Sequence, residues 1–276
     1  MPKFNDFDMS NWKEIDDIDV GSLWIIDKRK KDEYNSNNYH GNFVPQIPEH
    51  FIKRFTHSGD VVLDPFIGSG TTIFEACRLD RKAIGVDLTP RMFEWINSKN
   101  IDDKLYSLIE GDSLSKETYS VISKMLLEKF NTNKVQLLVL HPPYHDIIKF
   151  SDKENDMSNC KNVDDFLLKF EKMIDNLLPL LEDNRYCVLV MGDKYENSQW
   201  IPLAFYCMNV LINKGLILKG TIIKNSVNTK GKAGSDNIWK YRALASDYYL
   251  FKHEYIFLFK KVKAKKGKKN DVEDYI

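Results

Sequence analysis

The 276-residue chain is 43% hydrophobic and 29% charged, with a formal net charge of zero. That balance reads as a soluble globular protein with enough chain for one large domain or two small ones, and it argues against adhesion to nucleic acid by bulk charge alone. No apolar run reaches the roughly 18 residues of a membrane span, and the acidic, polar start (Asp6, Asp8, Glu14, Asp16, Asp17) does not read as a signal peptide, so no membrane partner and a cytoplasmic location are expected.

Residues 1–59 precede the first regular unit. Ser22 to Ile26 predicts a short strand, Asn37 to Pro45 a loop, and Pro48 to Phe55 a helix that stops at Ser58-Gly59. The segment is too short and polar for its own core and is expected to pack on the sheet formed by the rest of the chain. From residue 60 onward, β-rich runs alternate with helical patterns. Strands are predicted at 60–65, 83–87, 106–111, 135–140, 185–191, 216–224 and 253–260. Helices are predicted near 70–80, 90–99, 115–130, 163–182 and 200–214. The alternation predicts an α/β fold, a mostly parallel sheet with helices on both faces. The stretch 225–252 shows no crossover helix, so the last strand is expected to run antiparallel. The expected organisation is 1–59 closing on a 60–262 domain, with a flexible charged tail at 263–276; Lys260 to Lys269 is lysine-rich.

Cys77, Cys160, Cys187 and Cys207 form no close Cys or His constellation and read as buried thiols rather than a metal site. The chemistry lies elsewhere, at strand ends. Asp64-Pro-Phe-Ile-Gly-Ser-Gly-Thr-Thr72 closes an apolar strand and opens a helix. Gly68 and Gly70 permit a tight bend there and bring bare backbone N–H groups to a ligand. The next strand ends in Asp87, placed to accept hydrogen bonds from ribose hydroxyls. The third ends in Glu110-Gly-Asp112-Ser, where a carboxylate meets an adenine amine. The turn lacks the Lys-Ser/Thr ending of a P-loop and a strict GxGxxG spacing, which leaves an adenosine cofactor with little or no phosphate. The fourth strand ends in His141-Pro142-Pro143-Tyr144, a stiff turn with an aromatic ring.

Together these motifs resemble the amino-group DNA methyltransferases, which use S-adenosylmethionine to methylate cytosine N4 or adenine N6. The resemblance spans roughly 38–260. It implies a Rossmann-like, seven-stranded methyltransferase sheet with an antiparallel last strand, and cofactor motifs that precede the Pro-Pro-Tyr turn. It places Asp64, Phe66, Gly68 and Gly70 around the methionine, Asp87 on the ribose and Asp112 on the adenine, with Pro65, Thr71 and Thr72 of the same turn also binding the cofactor. Asn42 and Phe43 belong to the segment that closes over the methionine end. In the chemical half, a flipped base stacks on Tyr144, and the Pro142 carbonyl and residue 141 accept the two amine hydrogens. The family carries Asp, Asn or Ser at that last position. His141 departs from it, and only its neutral form can accept. Activity is therefore expected to fall as pH drops through the imidazole pKa, within a window of 5.5 to 8.

The resemblance implies DNA as substrate, with cytosine N4 the leading target, and a cognate restriction enzyme or specificity partner. An RNA base-amine methyltransferase and a catalytically inactive cofactor- or DNA-binding subunit are the alternatives. DNA contacts are expected from 224–252, where Lys224, Lys230, Lys232, Trp239, Lys240 and Arg242 interleave charge with aromatics; the insert 151–162 is a second candidate. Gly192 and Asp193 resemble a family turn near the target-base pocket, and Asp193 is equally expected as a helix cap.

Overall fold

Hydrophobic runs dictate the central strands. The computed structural model describes residues 4–30, 34, 39, 41–226 and 236–263. In β2 (Val61–Asp64) and β5 (Val135–Leu140) every residue is buried, as a parallel strand covered on both faces requires. The chain order begins with β1 (Leu23–Trp24) and α1 (Gln46–Phe55), then β2, α2 (Thr71–Arg78), β3 (Lys82–Asp87), α3 (Phe93–Asn97), β4 (Tyr106–Glu110), α4 (Lys116–Phe130) and β5. It continues with α5 (Val163–Leu177), β6 (Leu181–Met191), a hairpin of β7 (Lys194–Glu196) and β8 (Gln199–Ile201), α6 (Leu203–Asn213), β9 (Leu216–Asn225), α7 (Asp236–Leu244) and β10 (His253–Lys261). Helix starts follow local capping chemistry: Ser115 accepts from the Thr118 N–H and Asn162 from the Asp165 N–H.

Among the described residues the main sheet has eight strands in the order β1-β9-β10-β6-β5-β2-β3-β4. All pairings are parallel except those of β10, which runs antiparallel to β6 and β9. The expected count of seven is short by one. The added strand, β1, pairs parallel with the edge strand β9 and is anchored by the buried Trp24. This pairing covers β9 at Ile223 and Lys224 and makes the two-residue β1, with β4, an edge of the sheet.

Side chains alternate between two cores. Leu63, Leu138, Leu140, Leu189, Phe257 and Phe259 pack with α4, α5 and α6 on one face. Val62, Leu137, Val139, Val190, Ile256 and Leu258 pack with α1, α2 and α3 on the other. This period of two, read through adjacent strands, makes the fold a three-layer sandwich. The N-terminal residues Trp24, Phe43, Ile47, Phe51 and Phe55 belong to the second core.

Two local expectations change. The stretch 225–252 contains α7, whose exposed Ile238, Tyr241 and Leu244 do not gather on a buried face. The helix expected from 200 begins at Leu203, because 194–201 forms the small hairpin instead, turning through Asn197 and Ser198, both at positive φ.

The sheet grows in opposite directions from β2 and β5: β3 and β4 lie on one side, β6 on the other. Neighbouring strands whose connections diverge leave a crevice at their carboxyl ends. Asp64 and His141 stand at those two ends.

Candidate functional site

One cavity of about 1110 Å3 opens at this crevice. It is lined by the glycine turn, the ends of β3 and β4, the His-Pro-Pro-Tyr turn, residues 26–29 and 41–44, and the 150–157 part of the insert, with Lys224 and Glu254 at the far wall.

The glycine turn is held by its own acids. Asp64 accepts from the Phe66 N–H (2.9 Å) and the Thr72 hydroxyl (2.5 Å). It is almost fully buried, and loss of solvation pushes its pKa up to about 6 against these bonds. Asp87 accepts from the Gly68 N–H (3.0 Å) with one oxygen and from the Thr89 N–H (2.9 Å) with the other; burial raises its pKa too. Gly68 has φ +48°, and a Cβ there would stand 2.8 Å from the Tyr39 ring, so the position admits no side chain. Ser113 donates to the Pro65 carbonyl at 2.8 Å, tying the turn to the end of β4. Asp112 accepts from the Leu114 N–H and from Asn155 of the insert at 2.9 Å. From the N-terminal side, Asn42 donates to Ser69 (3.2 Å), and Arg29 donates to the Asn42 side-chain oxygen (3.2 Å) and the Phe43 carbonyl (3.0 Å).

At the other wall, His141 meets Phe43 edge-on, with ring centroids 4.7 Å apart, and Tyr144 at 5.6 Å. Its Nε2 lies 3.2 Å from the Tyr144 hydroxyl, which donates to Glu254 at 3.2 Å. Glu254 pairs with Lys224 at 2.8 Å. Loss of solvation carries the His141 pKa down to about 4; Glu254 opposes the shift and Lys224 adds to it. The ring is therefore neutral across the window in which it was expected to titrate. Burial, then Glu254, push the Tyr144 hydroxyl well up. Behind the turn, the buried Lys194 binds Asp146 (2.5 Å) and Glu196 (3.2 Å) and lies 2.8 Å from Nδ1 of His145.

Most of the residues singled out in the sequence share this cavity: Asn42, Phe43, Asp64, Pro65, Phe66, Gly68, Thr71, Thr72, Asp87, Asp112 and the 141–144 turn. Gly70 does not. Its φ is +88° and a Cβ would strike Ile96 and Phe74, so it shapes the turn from the core side. Lys224, expected on a nucleic-acid surface, is instead buried in the cavity wall and ion-paired, because it sits opposite Glu254 in the β9–β10 register. Lys240 and Arg242 are exposed on α7, beside a pocket lined by Tyr195, Tyr241, Tyr248, Tyr249 and Phe251. Lys230, Lys232 and the Trp239 side chain lie outside the described residues. The insert folds over the end of the cavity near Asp112, with Lys153 donating to the Leu88 carbonyl. Asp193 caps α6 through the Ala204 N–H and holds Trp200, and it does not line the cavity. Sequence reading missed Tyr39, Asn155 and the Lys224–Glu254 pair, whereas Gly192, in the turn expected near the base pocket, does stand against Tyr144, with which a Cβ there would collide. A charge opposite a charge at the ends of two apolar strands was the available signal for the pair.

A family model for DNA methylases of the N6/N4 type matches residues 4–98 and 135–275. The chain belongs to this family. It is 28% identical over 145 residues to the Type II methyltransferase M.MjaII of Methanocaldococcus jannaschii, covering 52% of this chain and 22% of that one. It is 26% identical over 201 residues to the tRNA (guanine(10)-N2)-dimethyltransferase of the same organism, covering 70% of this chain and 51% of that one. The Type II methyltransferase M.BglI of Bacillus subtilis is 30% identical over 117 residues, 42% of this chain and 31% of its own. The chain thus spans about half or less of the length of these relatives. TrmN from Thermus thermophilus shares the fold, with a TM-score of 0.51 at 13% identity over 81% of this chain and 50% of that one.

The cofactor of this family is S-adenosylmethionine. The site fits it. Gly68 leaves a cradle that any Cβ would fill, and carboxylates end three adjacent strands along one cavity wall. Among the described residues no helix is long and apolar enough to cross a membrane, and no group of three or more His, Cys, Asp or Glu could hold a metal ion.

Proposed function

We propose that this methyltransferase acts on DNA, methylating the exocyclic amine of a flipped cytosine (N4) or adenine (N6). The observation that carries the reading is the meeting of the glycine turn and the His-Pro-Pro-Tyr turn across one cavity at the strand-order reversal. S-adenosylmethionine supplies an electrophilic methyl group. Asp64, Pro65, Phe66, Gly68, Thr71 and Thr72 hold its methionine part, Asn42 and Phe43 close over it, Asp87 takes the ribose hydroxyls and Asp112 the adenine amine. Tyr144 stacks on the flipped base. The Pro142 carbonyl and neutral His141 accept from the two amine protons, draw the amine out of conjugation, and take up the positive charge that develops on nitrogen. Pro142 and Pro143 fix where that carbonyl points. Exposed Lys240 and Arg242 contact DNA phosphates. In this reading residues 1–59 close on the 60–262 domain, and a cognate restriction enzyme is the natural partner.

One comparison favours a second substrate: the tRNA methyltransferase relative aligns with 70% of this chain. Tritiated S-adenosylmethionine offered with DNA, tRNA and protein separates the two. Label in DNA, with one methylated nucleoside in DNA from expressing cells by mass spectrometry, supports the proposal and names the base. Label in tRNA alone overturns it in favour of RNA. Cofactor binding with no transfer to any acceptor supports an inactive subunit.

A further inference from the structure

The hydrogen-bond chain from Lys224 to His141 has a direction, and the direction has a chemical consequence. An ammonium only donates, so Lys224 donates to one oxygen of Glu254 (2.8 Å). A carboxylate in that ion pair only accepts, so the Tyr144 hydroxyl must donate its one proton to the other oxygen (3.2 Å). The hydroxyl oxygen is then left to accept, and its neighbour at 3.2 Å is Nε2 of His141. The geometry points to Glu254 and Lys224 as positioning residues that fix His141, a residue lining the cavity, as the Nε2–H tautomer and leave Nδ1 as its lone-pair acceptor. Nδ1 has no hydrogen-bond partner among the described residues, and it is bonded to Cγ just as the side-chain oxygen of Asp or Asn would be. His141 thus presents an acceptor where the family presents an oxygen. The ring's depressed pKa agrees with a neutral imidazole. The opposite tautomer would aim an N–H at the amine and repel it.

The inference rests on the proposed amine chemistry for its purpose, though not for its geometry. Glu254→Gln tests it with nearly unchanged shape. Lys224 still only donates, so it draws the amide oxygen of residue 254 to its side. The NH2 then faces Tyr144, the hydroxyl must donate toward His141, and the imidazole proton moves to Nδ1. Nitrogen NMR of 15N-histidine-labelled full-length protein, with the His141 signals assigned by their loss in His141→Asn, is expected to show a pyridine-type Nδ1 in the parent and a pyrrole-type Nδ1 in Glu254→Gln. A pyrrole-type Nδ1 in the parent, or no change in the variant, overturns the proposal. In single-turnover assays Glu254→Gln is expected to lower the rate by roughly 100-fold, the scale of losing one preorganised partner, without weakening cofactor binding. In the His141→Asn background, which has no tautomer to set, the same change should matter by only about twofold. An equal loss in both backgrounds would mean a merely structural role. If the parent methylates no nucleic acid, the functional reading fails while the NMR result still decides the tautomer.

Discussion

Replacing Gly192 by alanine tests whether the Tyr144 ring is held as tightly as the structure indicates. Gly192 follows β6, and its added Cβ would lie 2.9 Å from Cε2 and 3.1 Å from Cδ2 of Tyr144. Carbon–carbon contacts are comfortable only from about 3.5 Å, so the ring must retreat by roughly half an ångström or the strand must give. Retreat is opposed at both ends. The hydroxyl is bonded to His141 and Glu254, and the backbone before the ring is stiffened by Pro142 and Pro143. If the fold absorbs the clash, overpacking costs about 1–3 kcal/mol, which in a chain of this size lowers Tm by roughly 2–4 °C per kcal/mol. If the ring moves, a base stacked on it is misplaced against its acceptors, and kcat falls by roughly 10- to 100-fold. Cofactor affinity should hold, because Gly192 does not line the cavity. Initial rates, thermal unfolding and calorimetric titration with S-adenosylmethionine on Gly192→Ala check all three. Gly220→Ala is the control, since a Cβ at Gly220 meets nothing within 4 Å. A Gly192→Ala protein with parental kcat and parental Tm refutes the claim that this glycine gives Tyr144 its place.

Acid sensitivity is expected from His50 in α1, which is buried with no partner on Nε2 and whose pKa is driven by burial from 6.5 to about 4. The unfolded chain takes up that proton first, so stability is full above pH 6.5 and is lost as pH falls toward 4, by about 3 kcal/mol, and His50→Phe should flatten urea-unfolding free energies between pH 7 and 4.5. His141 follows the same sign: the single-turnover rate should stay level from pH 8 to 5.5 and fall only toward pH 4. An acid limb centred near 6.5 would show the ring to be solvated. Asp64 has the opposite sign. Its pKa is raised from 3.8 to about 6, so its stabilising protonated form is fully present below pH 3.8 and lost as pH rises through 6. At pH 7.5 the ionised carboxyl costs about 3 kcal/mol, so Asp64→Asn should raise the stability of the cofactor-free protein while weakening S-adenosylmethionine binding; a less stable variant would mean that the bonds to Phe66 and Thr72 outweigh desolvation. Lys240→Ala with Arg242→Ala should lower the slope of log affinity for DNA against log salt by roughly 0.9 per lost phosphate contact, and an unchanged slope would remove α7 from the interface.

The fold was legible wherever burial on two faces forces a continuous apolar run. Val135 to Leu140 and Cys187 to Met191 can be little else than central strands, and the loop-helix alternation then sets their order. What escaped was structure held by few side chains. Strand β1 falls within the short strand expected at 22–26, but its place beside β9 depends on Trp24 packing against His50 and Phe51, a contact no local pattern announces. The β7–β8 hairpin carried a turn signal in Asn197-Ser198, but the helical spacing that begins nearby overrode it. Helix α7 places apolar and charged residues on the same exposed surface, so its period carries no burial signal.

The site divides along the same line. Residues close in sequence declare themselves as motifs, because a turn that must bend at Gly68 and a strand that must end in an acid leave local marks. Position 141 declares only that an acceptor is needed. Whether an imidazole can be that acceptor depends on solvation and on where its one proton sits. Phe43, Glu254 and Lys224, drawn from the N-terminal segment and from two antiparallel strands, set those conditions. Their separation from His141 in the chain is why the motif alone makes this histidine an anomaly. Their convergence makes it chemically equivalent to an Asn oxygen, provided that the Glu254 carboxylate keeps the hydrogen bonds running toward Lys224.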